Sequence, residues 1–109
     1  YHHRTGICEF LQLIKESVGA IGIPGFPVYY TSQVYKFEEG DELFIYSDGL
    51  VDTVNERKED FGKDRLLNLI YRVCEMPAKM QMIEIEKQIA MFQGRAPQKD
   101  DLTFMILKK

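Results

Sequence analysis

The hydrophobic and polar positions of this chain follow two periods, and the change from one to the other falls near residue 60. Before that point, short apolar runs alternate with polar residues and turn signals, a pattern typical of β-strands. The predicted strands cover Tyr1–Arg4, Ile7–Ile14, Val28–Phe37 and Glu42–Ser47. We expect the first two to pair around the turn at Thr5-Gly6.

The last of these strands is apolar on both faces. Leu43 and Ile45 point to one side of it, and Phe44 and Tyr46 point to the other. A strand with apolar residues on both sides is usually buried on both sides. We therefore predict that both faces of this strand are covered.

A loop over Gly19–Pro27 holds three glycines and two prolines. Its Gly19-x-x-Gly22 spacing is compatible with a phosphate-binding loop, but no clear helix follows it, so a plain turn stands as the alternative. Two runs of charge, Glu38–Glu42 and Glu56–Asp60, are interpreted as solvated turns.

After residue 60 the apolar positions recur at helical spacing. One helix carries Leu66, Leu67, Ile70, Val73 and Cys74 and ends before Pro77. A second helix is predicted over Ala78–Gln93, with Gly94 as its stop, an apolar stripe of Met82, Ile85, Ile89 and Phe92, and Met80, Met82 and Met91 as core filler. A closing strand covers Leu102–Leu107. The pattern predicts an α+β fold in which an antiparallel helix pair lies over an antiparallel sheet.

Composition restricts the class of protein. With 109 residues and 45% hydrophobic content, residues 1–109 form one globular domain or part of one. A net charge of −3 with scattered Lys and Arg argues against nucleic-acid binding. The two cysteines lack disulfide or metal spacing, which indicates a reducing cytoplasm. No apolar run reaches transmembrane length, so we expect no membrane contact from this segment.

Two acidic sites lie at opposite ends of two predicted strands. Asp48-Gly49 follows one strand, and Asp100-Asp101 precedes another. An Asp-Gly pair is most often a turn, and paired Asp residues often cap one. However, a hairpin turn should lead directly into a returning strand, whereas residues 50–55 lead toward a charged loop and a helix. Each pair alone leaves both interpretations open.

The two pairs together are more informative. If the two strands are adjacent and antiparallel, Asp48 and Asp100 converge at one edge of the sheet. Converging carboxylates suit a hard divalent cation such as Mg²⁺ or Mn²⁺, because these ions prefer oxygen ligands and retain several waters. The sequence therefore predicts a candidate cation site at this edge.

The order of the motifs resembles that of a known family. The matching segments are Glu39-Gly40-Asp41, Tyr46-Ser47-Asp48-Gly49-Leu50-Val51-Asp52, Asn55, Phe61-Gly62-x-x-Arg65-Leu66 and Gly94-x-x-Pro97-Gln98-x-Asp100-Asp101-Leu102-Thr103. This series resembles the C-terminal half of the metal-dependent protein phosphatase (PPM, type 2C) domain, in its bacterial SpoIIE/RsbU-like branch. Gly19-Ala20-Ile21-Gly22 matches the Gly-rich loop of that branch, so the resemblance covers nearly the whole chain.

The resemblance implies part of an αββα sandwich with a two-metal centre that holds Mn²⁺ or Mg²⁺. Asp48 and Asp100 would be metal ligands, with Asp101 and Gly49 in support. Asp52 would orient a water or contact a further ion, or it is simply a solvated loop acid. The implied reaction is hydrolysis of phosphoserine or phosphothreonine by a metal-activated water, with no side-chain nucleophile and no organic cofactor.

The same resemblance implies a phosphorylated anti-anti-sigma (STAS-type) protein as substrate and an upstream sensor or receiver domain. The whole protein would act in the bacterial cytoplasm, either free or anchored to the membrane through other segments. The family also uses acids from an upstream Gly-Asp segment that has no counterpart before Asp48. We therefore expect residues 1–109 to be about half a catalytic domain, inactive alone and prone to self-association.

Two other functions remain open. One is a catalytically dead phosphatase-like module that binds phosphoprotein or assembles a complex. The other is a small α+β domain whose acids only cap turns.

Overall fold

The computed structural model describes residues 1–11, 24–25 and 32–109. Within these ranges the regular elements are strands β1 and β2 and helices α1, α2 and α3. In chain order they are β1 Glu42–Tyr46, α1 Asp48–Val51, α2 Gly62–Val73, α3 Ala78–Gln93 and β2 Phe104–Lys108. The architecture is α+β, as the change of period predicts.

The two strands form an antiparallel sheet. Glu42 pairs with Lys108 at one end, and Tyr46 pairs with Phe104 at the other. β1 matches its predicted range except for one residue at its C-terminus, and β2 begins two residues later than predicted. The register therefore places the residues that follow β1 beside the residues that precede β2.

Helices α2 and α3 cover one face of this sheet. The buried core joins Leu50 and Val51 of α1 to residues of both longer helices, and the aromatic rings of Phe44 and Phe104 pack against it from the sheet. The other face is only partly covered by the residues that the structure describes, since Ile45 is 50% exposed. The prediction that β1 is covered on both faces is therefore wrong within this part of the chain.

Helix α3 begins and ends where the sequence predicts. Pro77 stands directly before it in an extended conformation, and Gly94 ends it with a φ of 57°. Pro77 lacks a backbone N–H and a helix N-terminus leaves such groups unpaired, so proline is well tolerated there. Helix α2 ends earlier, at Val73, with Cys74 as its C-cap.

The predicted apolar stripe of α3 is correct only in part. Ile85 and Ile89 are buried, and Phe92 is half-buried, but Met82 is 44% exposed. Met80 and Met91 are more exposed still, so the interpretation of these methionines as core filler is wrong. Gln81 occupies the buried position instead, because its amide finds partners inside the protein.

Gln81 belongs to a buried polar cluster at the Glu42–Lys108 end of the sheet. Its Nε2 donates to the Glu42 carboxylate at 2.5 Å and to the Met76 carbonyl at 2.9 Å. Lys108 Nζ donates to the carbonyls of Cys74, at 2.7 Å, and Met76. These bonds satisfy carbonyl groups that the end of α2 leaves free.

The charge run at Glu38–Glu42 is not simply a solvated turn. Asp41 is 4% exposed and Glu42 is 3% exposed. The Asp41 carboxylate accepts backbone N–H bonds from His3 at 2.8 Å and Glu38 at 2.9 Å. These two bonds lower the pKa of Asp41, the bond from Glu38 contributing most. The second run, Glu56–Asp60, is exposed as predicted.

The predicted strands near the N-terminus are not found as strands. Residues 1–11 contain a single antiparallel bridge, His2 to Ile7, around a turn in which Gly6 has a φ of 69°. The rest of the predicted Ile7–Ile14 strand lies outside the described residues. So does nearly all of the Gly19–Pro27 loop, including its phosphate-loop spacing.

Residues 32–37 of the predicted Val28–Phe37 strand carry no regular structure, and the remainder of that range is not described. Val34 is 96% exposed, and no described strand pairs with this stretch. A strand needs a partner for its backbone hydrogen bonds, so alternation alone does not produce one. Among the described residues, no helix is both long and apolar enough to cross a membrane.

Candidate metal centre

The candidate site lies at the Tyr46–Phe104 end of the sheet. Beyond this last pair, the Ser47 N–H donates to the Thr103 carbonyl at 2.9 Å. The Thr103 N–H in turn donates to Ser47 Oγ at 3.0 Å. These bonds extend the contact between the two segments past the end of the regular ladder.

Gly49 brings the two acidic segments into direct contact. A Cβ atom at Gly49 would lie 2.0 Å from the carbonyl oxygen of Asp101 and 3.5 Å from the Cα of Leu102. Such a separation lies well inside van der Waals contact, so only glycine fits here. The requirement is steric, since Gly49 is not among the residues with positive φ. The backbones that carry Asp48 and Asp101 therefore run against each other.

Helix α1 was not predicted, because Asp-Gly was interpreted as a turn or a strand end. The Asp52 N–H donates to the Asp48 carbonyl at 2.9 Å, which closes a single helical turn. The Thr53 hydroxyl donates to the Gly49 carbonyl at 2.9 Å. Leu50 is fully buried, and this anchors a helix too short to be stable alone.

A small hollow lies between α1 and the segment that precedes β2. Its volume is about 20 Å³, about that of one water, and its walls include Gly49, Asp52, Lys99 and Asp100. Asp100 Oδ1 accepts the Asp101 N–H at 2.8 Å. Asp52 and Asp100 thus border one space, with a lysine beside them.

The acids at this end of the sheet are accessible. Asp48, Asp52, Asp100 and Asp101 are all exposed. The negative charge of Asp48 affects its neighbour: burial raises the pKa of Tyr46, and the charge of Asp48 raises it further. Several accessible carboxylates at one end of a sheet give this end a negative potential that attracts cations.

The fold brings the Asp48-Gly49 and Asp100-Asp101 segments together, and Asp52 borders the same hollow as Asp100. The residues that the structure describes include no group of three or more His, Cys, Asp or Glu side chains that could hold a metal ion. The described residues therefore bring the two acidic segments to one end of the sheet without forming a complete set of metal ligands.

The sequence analysis quotes Ser47 within a motif but predicts no role for it at the candidate site. Its hydroxyl accepts from Thr103 and makes a long, 3.5 Å bond to the Asp101 carbonyl. Its position in the sequence could have indicated this role. A serine between the end of a strand and an acidic residue can form a hydrogen bond to the neighbouring strand. Asn55, quoted in the motif series, has a local role: its Oδ1 accepts backbone N–H bonds from Arg57 and Glu59.

Cys74 is buried and Cys8 is partly buried. Burial is the largest cause that raises the pKa of both Cys8 and Cys74. A thiol with a raised pKa is a poor nucleophile at neutral pH. That neither cysteine acts as a nucleophile stays a prediction, with which the raised pKa values are compatible.

Comparisons with known proteins bear on the family. The sequence model of the family described as Stage II sporulation protein E (SpoIIE) matches residues 3–109. Among solved structures, the SiaA-PP2C domain of Pseudomonas aeruginosa superposes with a TM-score of 0.61 at 25% sequence identity. That match covers 62% of this chain and 28% of the solved one, so this chain corresponds to a minor part of its length. The comparison with curated protein sequences gave no match.

Proposed function

The chain belongs to the SpoIIE family, and from this premise we propose that it forms part of a metal-dependent serine/threonine protein phosphatase. A phosphatase-type domain is what the family and the PP2C-like fold support. The finer assignment concerns the bond that is cleaved: the phosphate ester of a serine or threonine side chain in a protein.

One observation carries the proposal. The Gly49 backbone lies against the Asp101 carbonyl so closely that a Cβ atom would be 2.0 Å from it. This contact sets Asp48 and Asp100, each one residue away, at the same end of the β1–β2 sheet. A structural turn needs no such convergence, whereas a cation held by carboxylates does.

The described donor set suits a hard cation. Carboxylate oxygens favour Mg²⁺ or Mn²⁺ over softer metals, and Mg²⁺ is commonly held by one or two carboxylates plus water. Asp48 and Asp100 would hold the ion, and Asp101 would support Asp100 from the adjacent position. When bound, the ion would lower the pKa of a coordinated water and offset charge on the phosphoryl oxygens.

The remaining residues of the site have supporting roles in this proposal. Gly49 permits the close approach of the two segments. Asp52 borders the hollow beside Asp100 and would accept a hydrogen bond from a water there. Lys99, in the same wall, would attract the phosphate dianion of the substrate. A second cation would need carboxylates beyond these residues.

The proposed substrate is a phosphorylated STAS-type anti-anti-sigma protein in the bacterial cytoplasm. The proposed regulator is a sensor or receiver domain of the same protein. Both proposals follow from the resemblance to the SpoIIE/RsbU-like branch. Nucleic acid is not a proposed partner, given the net charge of −3.

The test uses the intact protein with Mn²⁺ and a phosphoserine-bearing STAS-type protein. Asp48→Asn and Asp100→Asn each remove a charged metal ligand while keeping the size of the side chain. We expect each variant to lose about a hundredfold or more of the phosphate release. Asp60→Asn is the matched control, since it changes an exposed acid in the charged loop and should leave the rate unchanged. Parental turnover in either site variant at saturating Mn²⁺ would refute the assignment.

A second function is favoured by one observation. The described residues include no group of three metal-binding side chains, which also fits a phosphatase-like module that binds phosphoprotein without cleaving it. This alternative predicts that the intact protein binds the phosphorylated partner but releases no phosphate at any Mn²⁺ concentration. The same assay therefore separates the two functions.

A further inference from the structure

Ser47 is linked to the acidic segment before β2 by three hydrogen bonds. Its N–H donates to the Thr103 carbonyl at 2.9 Å, and its Oγ accepts the Thr103 N–H at 3.0 Å. Its hydroxyl also donates to the Asp101 carbonyl at 3.5 Å. Two of the three bonds use the side chain, so an alanine at this position would keep only one of them.

The Ser47 hydroxyl does not make the hydrogen bond that a serine at a helix N-cap normally makes. Ser47 is the N-cap of α1, with extended backbone angles of φ −86° and ψ 158°, but its side chain makes no capping bond to that helix. An N-cap serine usually accepts a backbone N–H from the first turn of its own helix. Here the hydroxyl is directed across to the neighbouring segment, and α1 forms without it.

The link lies directly beside the candidate ligands. Asp48 is the next residue after Ser47, and Asp101 is the next residue after Asp100. A trans peptide unit holds the Cα atoms of neighbouring residues about 3.8 Å apart, so a displacement of the Ser47 or Asp101 backbone also displaces the backbone that carries Asp48 or Asp100. The Gly49–Asp101 contact limits how closely the segments approach, and the Ser47 bonds limit how far they separate.

We propose that Ser47 is a positioning residue of the metal centre, whose hydroxyl fixes the separation of the Asp48 and Asp100 carboxylates. This inference rests on the proposed function and adds a residue to it. Ser47 touches neither the cation nor the substrate in this role. It acts through the backbone of the segment that carries Asp100, as outer residues that orient metal ligands do.

The test compares two variants of nearly equal shape, Ser47→Thr and Ser47→Val, in the intact protein. Threonine keeps the hydroxyl and valine lacks it, and both suit the extended backbone. We expect Ser47→Thr to bind Mn²⁺ within about twofold of the parent, and Ser47→Val to bind it about tenfold or more weakly. The readout is the Mn²⁺ dissociation constant from isothermal titration calorimetry, with the metal-free melting temperature of each variant recorded in parallel.

Asn55→Ala is the control for a purely structural effect. It removes two side-chain-to-backbone bonds of 3.0 and 2.9 Å that lie within a single loop. We expect this variant to lower the melting temperature without changing the Mn²⁺ dissociation constant. We also expect the kcat of Ser47→Val to recover toward that of Ser47→Thr as Mn²⁺ is raised, because the defect is in metal affinity.

The outcomes separate this inference from the proposed function. If Ser47→Val and Ser47→Thr bind Mn²⁺ equally well while Asp48→Asn does not bind it, the positioning role is refuted and the metal centre stands. If Asp48→Asn binds Mn²⁺ as the parent does, the proposed metal centre itself fails. If Ser47→Val does not fold, Ser47→Ala replaces it, and parental Mn²⁺ affinity in Ser47→Ala would overturn the inference.

Discussion

The contact at Gly49 allows a sharp prediction for Gly49→Ala. The added Cβ would lie 2.0 Å from the Asp101 carbonyl oxygen, and real Cβ atoms essentially never lie under 3.0 Å from another atom. The carbonyl belongs to the backbone and cannot rotate aside as a flexible side chain can. One of the two segments must therefore move by roughly the difference between 2.0 Å and 3.0 Å.

The expected change in the free energy of unfolding combines two opposing contributions. Overpacking of this kind costs about 1–3 kcal/mol. Replacing glycine by alanine within a helix returns up to about 1 kcal/mol. The difference leaves a net loss between about 0 and 3 kcal/mol, and each kcal/mol should lower the melting temperature by roughly 4–8 °C for a domain of this size. Displacement of the Asp101 segment should also weaken Mn²⁺ binding by about tenfold or more.

The assay is thermal unfolding and Mn²⁺ calorimetry on the parent, Gly49→Ala and Gly62→Ala. Gly62 has a φ of 78° and open space where a Cβ would be, so its alanine variant suffers backbone strain without a clash. That strain costs about 1–2 kcal/mol. We expect Gly62→Ala to be destabilised with unchanged Mn²⁺ affinity. A Gly49→Ala protein with parental melting temperature and affinity would show that the two segments are not in contact.

Three further predictions concern other features. Asp101→Asn should reduce phosphate release less than Asp100→Asn does, because in the proposed centre Asp101 would support the ligand without holding the ion. Equal losses in the same assay would contradict this. The pKa of Asp41 is lowered by two backbone N–H bonds, so its stabilising effect is present above the ordinary pKa of 3.8 and is lost as pH falls through the lower folded value. Urea midpoints measured down to about pH 2 should therefore fall less steeply in Asp41→Asn than in the parent. Met105 is 61% exposed on the sheet face that the described helices do not cover, so the purified chain should self-associate. Met105→Lys should reduce the self-association measured by sedimentation. A monomeric parent protein would contradict this prediction.

The elements that the sequence predicts well are those with strong periodicity and clear boundaries. Helix α3 was placed to the residue because Pro77 and Gly94 mark its two ends. The predicted β1 strand agrees with the structure within one residue, since its continuous apolar run ends at a polar pair. Here local propensity and the tertiary structure favour the same conformation.

The incorrect predictions concern residues whose burial depends on tertiary contacts. Gln81 is buried and Met82 is not, because the Gln81 amide bonds to Glu42 and to carbonyls at the end of α2. Nothing in the periodicity of α3 distinguishes these neighbours. Similarly, Asp41 is buried within a charge run because its carboxylate receives two backbone N–H bonds. Two of these partners, Glu42 for Gln81 and His3 for Asp41, lie 39 and 38 residues away in sequence, and a local pattern carries no information about them.

For the candidate site, the sequence predicts that the Asp48 and Asp100 segments lie close together, but it does not predict the contacts that join them. Antiparallel pairing was enough to bring the Asp48 and Asp100 segments to one end of the sheet. The roles of Ser47 and of helix α1 depend on the register of the two strands, which a run that is apolar on both faces specifies only weakly. A shift of one residue would have directed the Ser47 hydroxyl away from Thr103.

The two ends of the sheet show why only one of them is proposed as a site. At the Lys108 end, the polar side chains of Glu42 and Gln81 are buried, and Lys108 and Gln81 donate to protein carbonyls. An ion from solvent has no accessible carboxylate oxygen of Glu42 to bind. At the other end, the Asp48 carboxylate is exposed and makes no hydrogen bond or ion pair with the described residues. An exposed carboxylate that the protein does not itself satisfy retains its capacity to bind a cation.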